Sequence, residues 1–286
     1  MIAAPHPGDV ASSGGTPLDL AQLMAKRHPV IMGVLNVTPD SFSDGGRFLD
    51  PAAAIAHAKE MIGEGADIID IGAESSRHYG NPVAVSAEEE RHRLEGVLPA
   101  VACLGHPVSI DTMKASVAAW ALANGATIVN DVWGLQRDPD LARVVAEHAA
   151  PVIIMHNRAA ADPSIDIMAD IAAFFSRSLD IAGRAGIARE NIVLDPGIGF
   201  GKTPEQSLVA IARLAELKSF GLPLLVGASR KRFIDKVSPA PPDRRLGGSI
   251  AAHLLAVAGG AAIIRTHDVA ETVQALRVAA AIGSAR

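Results

Sequence analysis

A single cysteine, Cys103, stands in this chain of 286 residues. It has no thiol partner, which fits a reducing cytoplasm, and in its helical stretch it is expected to pack as a small apolar residue. No run of about 18 uninterrupted apolar residues is present, so no membrane-spanning helix is expected. Basic excess is missing as well. The formal net charge of −5 leaves no electrostatic footprint for nucleic acid or an anionic membrane surface. The opening residues hold Pro, Gly and Ser but lack the basic start and apolar core of a signal peptide. They are expected to form an N-terminal extension, residues 1–29, with one short helix around Leu18 to Lys26.

What the chain does have is apolar residues, 49% of the total, enough for a large core. Much of that apolar content falls in eight short runs: IMGVLNV at 31–37, DIIDIG at 67–72, PVSIDT at 107–112, ATIVND at 126–131, PVIIMH at 151–156, NIVLDP at 191–196, LPLLVG at 222–227 and AAIIRTH at 261–267. Between them lie segments of helical periodicity with recognisable ends. Asp50-Pro51, Asp138-Pro139 and Thr203-Pro204 each put a capping side chain before a proline at the first helical position. Ser86 with Glu89, Thr203 with Gln206 and Asp268 with Glu271 have capping-box spacing. Gly65, Gly105, Gly125, Gly186, Gly221 and Gly260 each precede the next strand by a few residues, where a left-handed glycine can stop a helix. Eight strand-then-helix units in order predict an α/β fold, a single (β/α)8 TIM barrel over residues 30–286.

That architecture directs attention to the strand ends, because the active face of such a barrel lies at the C-terminal ends of its strands. The polar residues there are Asn36, Asp70, Asp111, Asn130, His156 and Asp195, with Lys231 just past the seventh strand and Arg265 and His267 on the eighth. Closure sets the first strand beside the eighth, which brings Asn36 towards Arg265 and His267. An amide, a guanidinium and an imidazole on one rim suit a phosphate or pyrophosphate. Each residue also has a plainer reading. A strand-end Asp or Asn commonly caps the next helix, His156 reads as structural, and Arg265 can simply pair with Asp268. Collecting so many polar groups on one face without a ligand would be expensive, however.

Two segments sharpen the site. Leu194 to Gln206, LDPGIGFGKTPEQ, lets backbone approach a flat ligand while Phe200 supplies an apolar contact. Gly227 to Phe233, GASRKRF, places Ser229, Arg230, Lys231 and Arg232 at a helix start, where cations oppose the dipole and imply a pull from elsewhere.

NVTPDSFSDGG, DIIDIGAESSR, SIDT, VND, LDPGIGFGK, GASRK and IIRTHDV occur in the order and spacing of the dihydropteroate synthase family, which the chain resembles from about Pro29 to Val278. The resemblance implies a transferase of folate biosynthesis and a target of sulfonamides. It would condense 6-hydroxymethyl-7,8-dihydropterin diphosphate with 4-aminobenzoate to 7,8-dihydropteroate, releasing pyrophosphate with Mg²⁺ assisting. By motif match, Asp111, Asn130, Met155, Asp195, Phe200 and Lys231 would bind the pterin. Asn36, Arg265 and His267 would take the diphosphate, with Asn36 also a metal ligand, and Ser76, Arg77 and Ser229 would take 4-aminobenzoate. Asn36, Asp111, Lys231, Arg265 and His267 form the implied catalytic set. Thr38, Pro39, Asp40, Ser41 and Phe42 fall in the first of two mobile loops. The resemblance also implies a cytoplasmic homodimer acting on small molecules.

The second loop departs from the family pattern. It reads Glu74-Ser75-Ser76-Arg77-His78-Tyr79-Gly80 where the pattern has Ser-Thr-Arg-Pro-Gly. Asn157-Arg158 after His156, and Asp235 in place of a usual glycine, depart as well. Two other readings stand beside the enzyme: a methyltetrahydrofolate-binding corrinoid methyltransferase, and a non-catalytic pterin-binding paralogue.

Overall fold

In the computed structural model, which describes residues 18–25, 29–38, 50–74 and 85–285, the chain forms a closed, all-parallel barrel in the order β1-β2-β3-β4-β5-β6-β7-β8. The strands are β1 Val30–Asn36, β2 Ile68–Gly72, β3 Val108–Asp111, β4 Ile128–Asp131, β5 Val152–Met155, β6 Ile192–Asp195, β7 Leu224–Val226 and β8 Ala261–Thr266. The helices are α1 Leu20–Met24, α2 Pro51–Glu64, α3 Ala87–Glu95, α4 Leu98–Ala102, α5 Ala115–Ala123, α6 Leu141–Glu147, α7 Ile167–Ala185, α8 Pro204–Ala212, α9 Arg232–Val237, α10 Leu246–Gly259 and α11 Val269–Ser284. Every expected strand forms, and β1 closes on β8 with Gly33 opposite Thr266. Among the described residues no helix is long and apolar enough to cross a membrane.

Strand alternation explains both the core and the site. Outward residues such as Leu35, Ile71, Ile110, Val129, Ile154 and Leu194 pack under the helices in one large cluster. Inward residues form a second cluster at the barrel floor: Val30, Met32, Ile68, Ile128, Ile153, Val193, Leu225 and Ile263, sealed from below by Leu20 of α1. Two residues further along a strand the side chain points the same way but lies nearer the C-terminal mouth. There the residue types change: Ile68 gives way to Asp70, Ile128 to Asn130, Ile153 to Met155, Val193 to Asp195 and Ile263 to Arg265. The barrel is thus an apolar plug with a polar lid layer, and one sequence period of two builds both.

The helix-end signals hold for the most part. All six named glycines have positive φ, among them Gly65 at 107° and Gly260 at 105°. Asp50 accepts from the Ala52 N–H, Ser86 from that of Glu89, and Thr203 and Gln206 complete a capping box. Two expected caps move. Asp138 accepts from the N–H groups of Asp140 and Ala115, and α6 begins after Asp140 instead. Asp268 precedes α11 but its carboxylate makes no cap bond, because Arg230 claims it. Cys103 is exposed and ends α4, contrary to the expectation of a packed apolar residue. The α4 helix has only five residues, and Cys103 falls just past its last turn, on the solvent side.

Candidate active site

Arg265 reaches across the barrel mouth. Its Nε donates to Asp70 Oδ2 at 2.6 Å and its Nη2 to Asp111 Oδ2 at 3.0 Å. Asn130 Nδ2 donates to the same Asp70 carboxylate, 3.2 Å from Oδ2. Asp70 is fully buried. Two carboxylates therefore share one guanidinium, and Asp111 shows the consequence. Burial, then the negative charge of Asp70, push its pKa up to about 7 against the opposing pull of Arg265. Burial works against the Arg265 charge too, but Asp70 and Asp111 outweigh it and hold the group firmly protonated.

Asp195 ends β6, beside Met155 of β5. Burial raises its pKa to about 6, even with the Gly197 N–H donating to Oδ1 at 2.7 Å and Lys231 nearby. The glycine loop turns immediately after it. Phe200 N–H closes a turn on Gly197 O at 3.0 Å, and Gly199 N–H donates to Ser207 Oγ at 3.2 Å. Gly197 has φ of 65°, and a Cβ there would stand 1.9 Å from His156 O, so the close approach admits only glycine. Lys231 places its ammonium 3.9 Å from the centre of the Phe200 ring, a cation–π contact at the pocket edge.

His156 is wholly buried, as its structural reading requires. Its Nε2 lies 2.9 Å from Asp170 Oδ2 and its Nδ1 2.6 Å from Lys202 Nζ. Burial first, and the Lys202 charge second, depress its pKa to about 3, so the ring is neutral. A neutral ring between a carboxylate and an ammonium carries its proton on Nε2 and accepts at Nδ1. The unusual Arg158 pairs with Asp170 at 2.9 Å on the far side.

At the rim beyond β7, the basic run has its explanation. Arg230 holds a left-handed backbone (φ 58°), donates its N–H to Ser249 Oγ at 2.9 Å and pairs with Asp268. The carboxylate that would have capped α11 is the pull that offsets the helix dipole. Asp235, where a glycine is usual, pairs with Arg245 at 3.0 Å, and Arg245 Nη1 donates to Arg230 O at 3.1 Å. The departure thus braces the same turn. Ser229 Oγ accepts the His267 N–H at 3.2 Å and lies 3.0 Å from His267 Nδ1. Burial, then Arg265, Arg230 and Lys231, lower the His267 pKa to about 3. The serine hydroxyl serves Nδ1, which leaves Nε2–H as the donor that a neutral His267 can offer a ligand.

The expected residues are thus brought together unevenly. Asp111, Asn130, Met155, Asp195, Phe200, Lys231 and Arg265 converge on the mouth from β3 to β8. Asn36 ends β1 half-buried, on the strand that pairs with β8. Thr38 is described, also half-buried. Pro39, Asp40, Ser41 and Phe42, like Ser76 and Arg77, lie outside the described residues.

The pterin binding enzyme family matches residues 32–267. This chain belongs to that family. The dihydropteroate synthase of Bacillus subtilis (strain 168) is 45% identical over 248 residues, 86% of this chain and 86% of its own length. The structure of the Xanthomonas albilineans dihydropteroate synthase with 4-aminobenzoic acid superimposes with a TM-score of 0.86 at 41% identity, covering 90% of this chain and 94% of that one. The same enzyme in complex with 7,8-dihydropteroate gives a TM-score of 0.82 at 40% identity, covering 90% and 95%. The sequence reading named the residues converging on the mouth. It did not lead to the supports behind them: Asp170 under His156, Lys202 in the glycine loop, and Ser249 and Arg245 under Arg230. Their one sequence signal is Lys202 itself, an ionisable residue closing a motif of glycines.

Proposed function

We propose that this chain condenses 6-hydroxymethyl-7,8-dihydropterin diphosphate with 4-aminobenzoate, giving 7,8-dihydropteroate and pyrophosphate in folate biosynthesis. The observation that carries the reading is the polar layer of Asp70, Asp111, Asn130, Asp195 and Arg265 set on the apolar floor beside the glycine loop. The pterin presents adjacent N–H donors on its amino-pyrimidine edge, which ionised Asp195 accepts. Asn130 and Asp111 meet other ring atoms, Lys231 the ring oxygen and nitrogen, and Met155 and Phe200 the two faces. Ser76, Arg77 and Ser229 would hold 4-aminobenzoate.

In the reaction the bond from the exocyclic methylene to the diphosphate oxygen breaks with its electron pair going to the departing pyrophosphate, the amine nitrogen bonds to that carbon, and the amine's proton passes to the pyrophosphate or to water. The amine is already neutral at pH 7, so attack needs no strong base. Catalysis comes mainly from alignment and from neutralising the departing diphosphate. Asn36, Arg265 and the His267 Nε2–H would face that group. Arg265 would do so with the N–H donors that Asp70 and Asp111 leave over, and because it also holds those two acids it ties leaving-group recognition to the pterin side.

Among the described residues no group of three or more His, Cys, Asp or Glu could hold a metal. A Mg²⁺ here would therefore be carried by diphosphate oxygens, water and the Asn36 amide oxygen, the sparse protein ligation this ion commonly accepts. When bound, it would neutralise charge on the leaving group. Leu255 on α10, with Val278 and Ile282 on α11, exposes apolar side chains on two helices packed against each other, and a homodimer would cover them. The single free thiol suits a cytoplasmic site.

The corrinoid methyltransferase and the non-catalytic paralogue gain no support from relatives that are dihydropteroate synthases. A coupled assay should show pyrophosphate release only when both substrates are present. Release without 4-aminobenzoate, or none at all, would refute the proposal.

A further inference from the structure

We infer that Lys202 is a positioning residue for the pterin pocket: its buried ammonium ties the carbonyls at both ends of the Gly197–Phe200 turn to His156, and so holds Phe200 and the Asp195 turn in place for the ring. The inference rests on the pterin reading above. Lys202 is nearly fully buried, and its Nζ has three acceptors: His156 Nδ1 at 2.6 Å, Gly197 O at 2.9 Å and Phe200 O at 3.2 Å. An ammonium has three protons, so the set is complete. Gly197 O also receives the Phe200 N–H. The turn is therefore closed once by backbone and a second time by the lysine.

The His156 acceptor is fixed from behind. Asp170 takes the Nε2 proton of His156, which leaves Nδ1 as an acceptor, and Arg158 pins Asp170. No carboxylate touches the ammonium among these contacts, although Asp195 and Asp170 favour its charge while Lys231 and Arg158 oppose it. Burial prevails and brings its pKa down to about 7. A lysine amine kept in so unfavourable a place, with only carbonyls and an imidazole around it, is a poor device for stability alone. Its value lies in the geometry it imposes. Phe200 and Asp195 contact the ligand directly, whereas Lys202 acts through them.

The test uses the full chain with Lys202→Met, one atom shorter and without the charge, and Lys202→Gln, which is equally short but keeps a donor. Calorimetry with 6-hydroxymethyl-7,8-dihydropterin should show the Met variant weakened about tenfold or more, since small misplacements of binding groups carry large penalties. The KM for the pterin diphosphate should rise by a similar factor. The KM for 4-aminobenzoate at saturating pterin diphosphate should stay within about twofold, and Gln should recover part of the loss. Amide exchange at Gly199 and Phe200 should quicken in the Met variant before any ligand is added. Near wild-type pterin binding by Lys202→Met would overturn the inference. So would an equal loss towards 4-aminobenzoate with no recovery by Gln, the sign of general damage. Should Lys202→Met fail to fold, the Gln variant decides by the same comparison with wild type. A wild-type protein that binds no pterin would instead refute the proposed function.

Discussion

The floor and the mouth of this barrel are built from the same strands, two residues apart, and they behave as different materials. At the floor, Met32, Ile68, Ile153 and Leu225 pack together in one apolar cluster. At the mouth, Asp70 and Asp195 are buried too, with Asp111 and Arg265 part-buried beside them, yet each is held by a specific partner and the acids Asp111 and Asp195 have raised pKa values. The difference teaches that burial alone does not distinguish core from site. What distinguishes them is whether a buried group's interactions are complete without a ligand. The floor is finished. The mouth is only provisionally satisfied, with one guanidinium serving two acids and Asp195 holding a backbone N–H.

The largest expected effect breaks the floor. Ile153→Ala removes a fully enclosed side chain and should cost about 4 kcal/mol of stability, measured by denaturant unfolding. Pterin affinity of the folded variant should stay within about twofold of wild type, since no mouth contact is lost. A large affinity loss would mean that the two layers are not separable.

Next is acid. His253 in α10 is buried, and neither ring nitrogen has a hydrogen-bond partner among the described residues. Burial lowers its pKa from 6.5 to about 4. The unfolded chain binds a proton that the folded chain refuses, so this contribution is intact above pH 6.5 and is lost as the pH falls towards 4. The full loss is about 3 kcal/mol for this residue. Buried His156 and half-buried His267, each near 3, extend the decline downwards. In His253→Leu the upper part of that decline should flatten. An unchanged pH–stability curve would show that His253 takes up its proton when folded.

A smaller effect probes the mouth's shared charge. Arg265→Ala should weaken the diphosphate substrate most, but it should also weaken the unphosphorylated hydroxymethyl pterin by about 1 kcal/mol, because Asp70 and Asp111 lose their common counter-ion. Calorimetry with both ligands checks this. Unchanged affinity for the unphosphorylated pterin would confine Arg265 to the anion.

Much of this was legible beforehand, and the exceptions share a cause. Strands, glycine stops and the Thr203 box depend on neighbours within a few residues, and periodicity places Asp111, Asn130, Asp195 and Arg265 on one rim. Partners are another matter. Arg265 meets Asp70 across 195 positions, and Arg230 takes the Asp268 carboxylate across 38. Helical spacing alone predicted Asp268 as a side-chain cap and could not foresee a better-placed cation. The Lys202–His156–Asp170 chain joins a loop, a strand end and a helix, so it exists only once the barrel has closed.

The central claim, that the mouth is a site built around the Asp195 carboxylate, is tested most directly by titrating 6-hydroxymethyl-7,8-dihydropterin into wild type and Asp195→Asn across pH 5 to 8. Wild-type affinity should fall as the pH drops through the Asp195 pKa of about 6, a step distinct from any change as Asp111 titrates near 7 and absent from Asp195→Asn. Asp195→Asn should lose about 3 kcal/mol, roughly a hundredfold, at pH 8, with its melting temperature little changed. Near wild-type binding by Asp195→Asn, or a wild-type affinity flat from pH 8 to 5, would contradict the account.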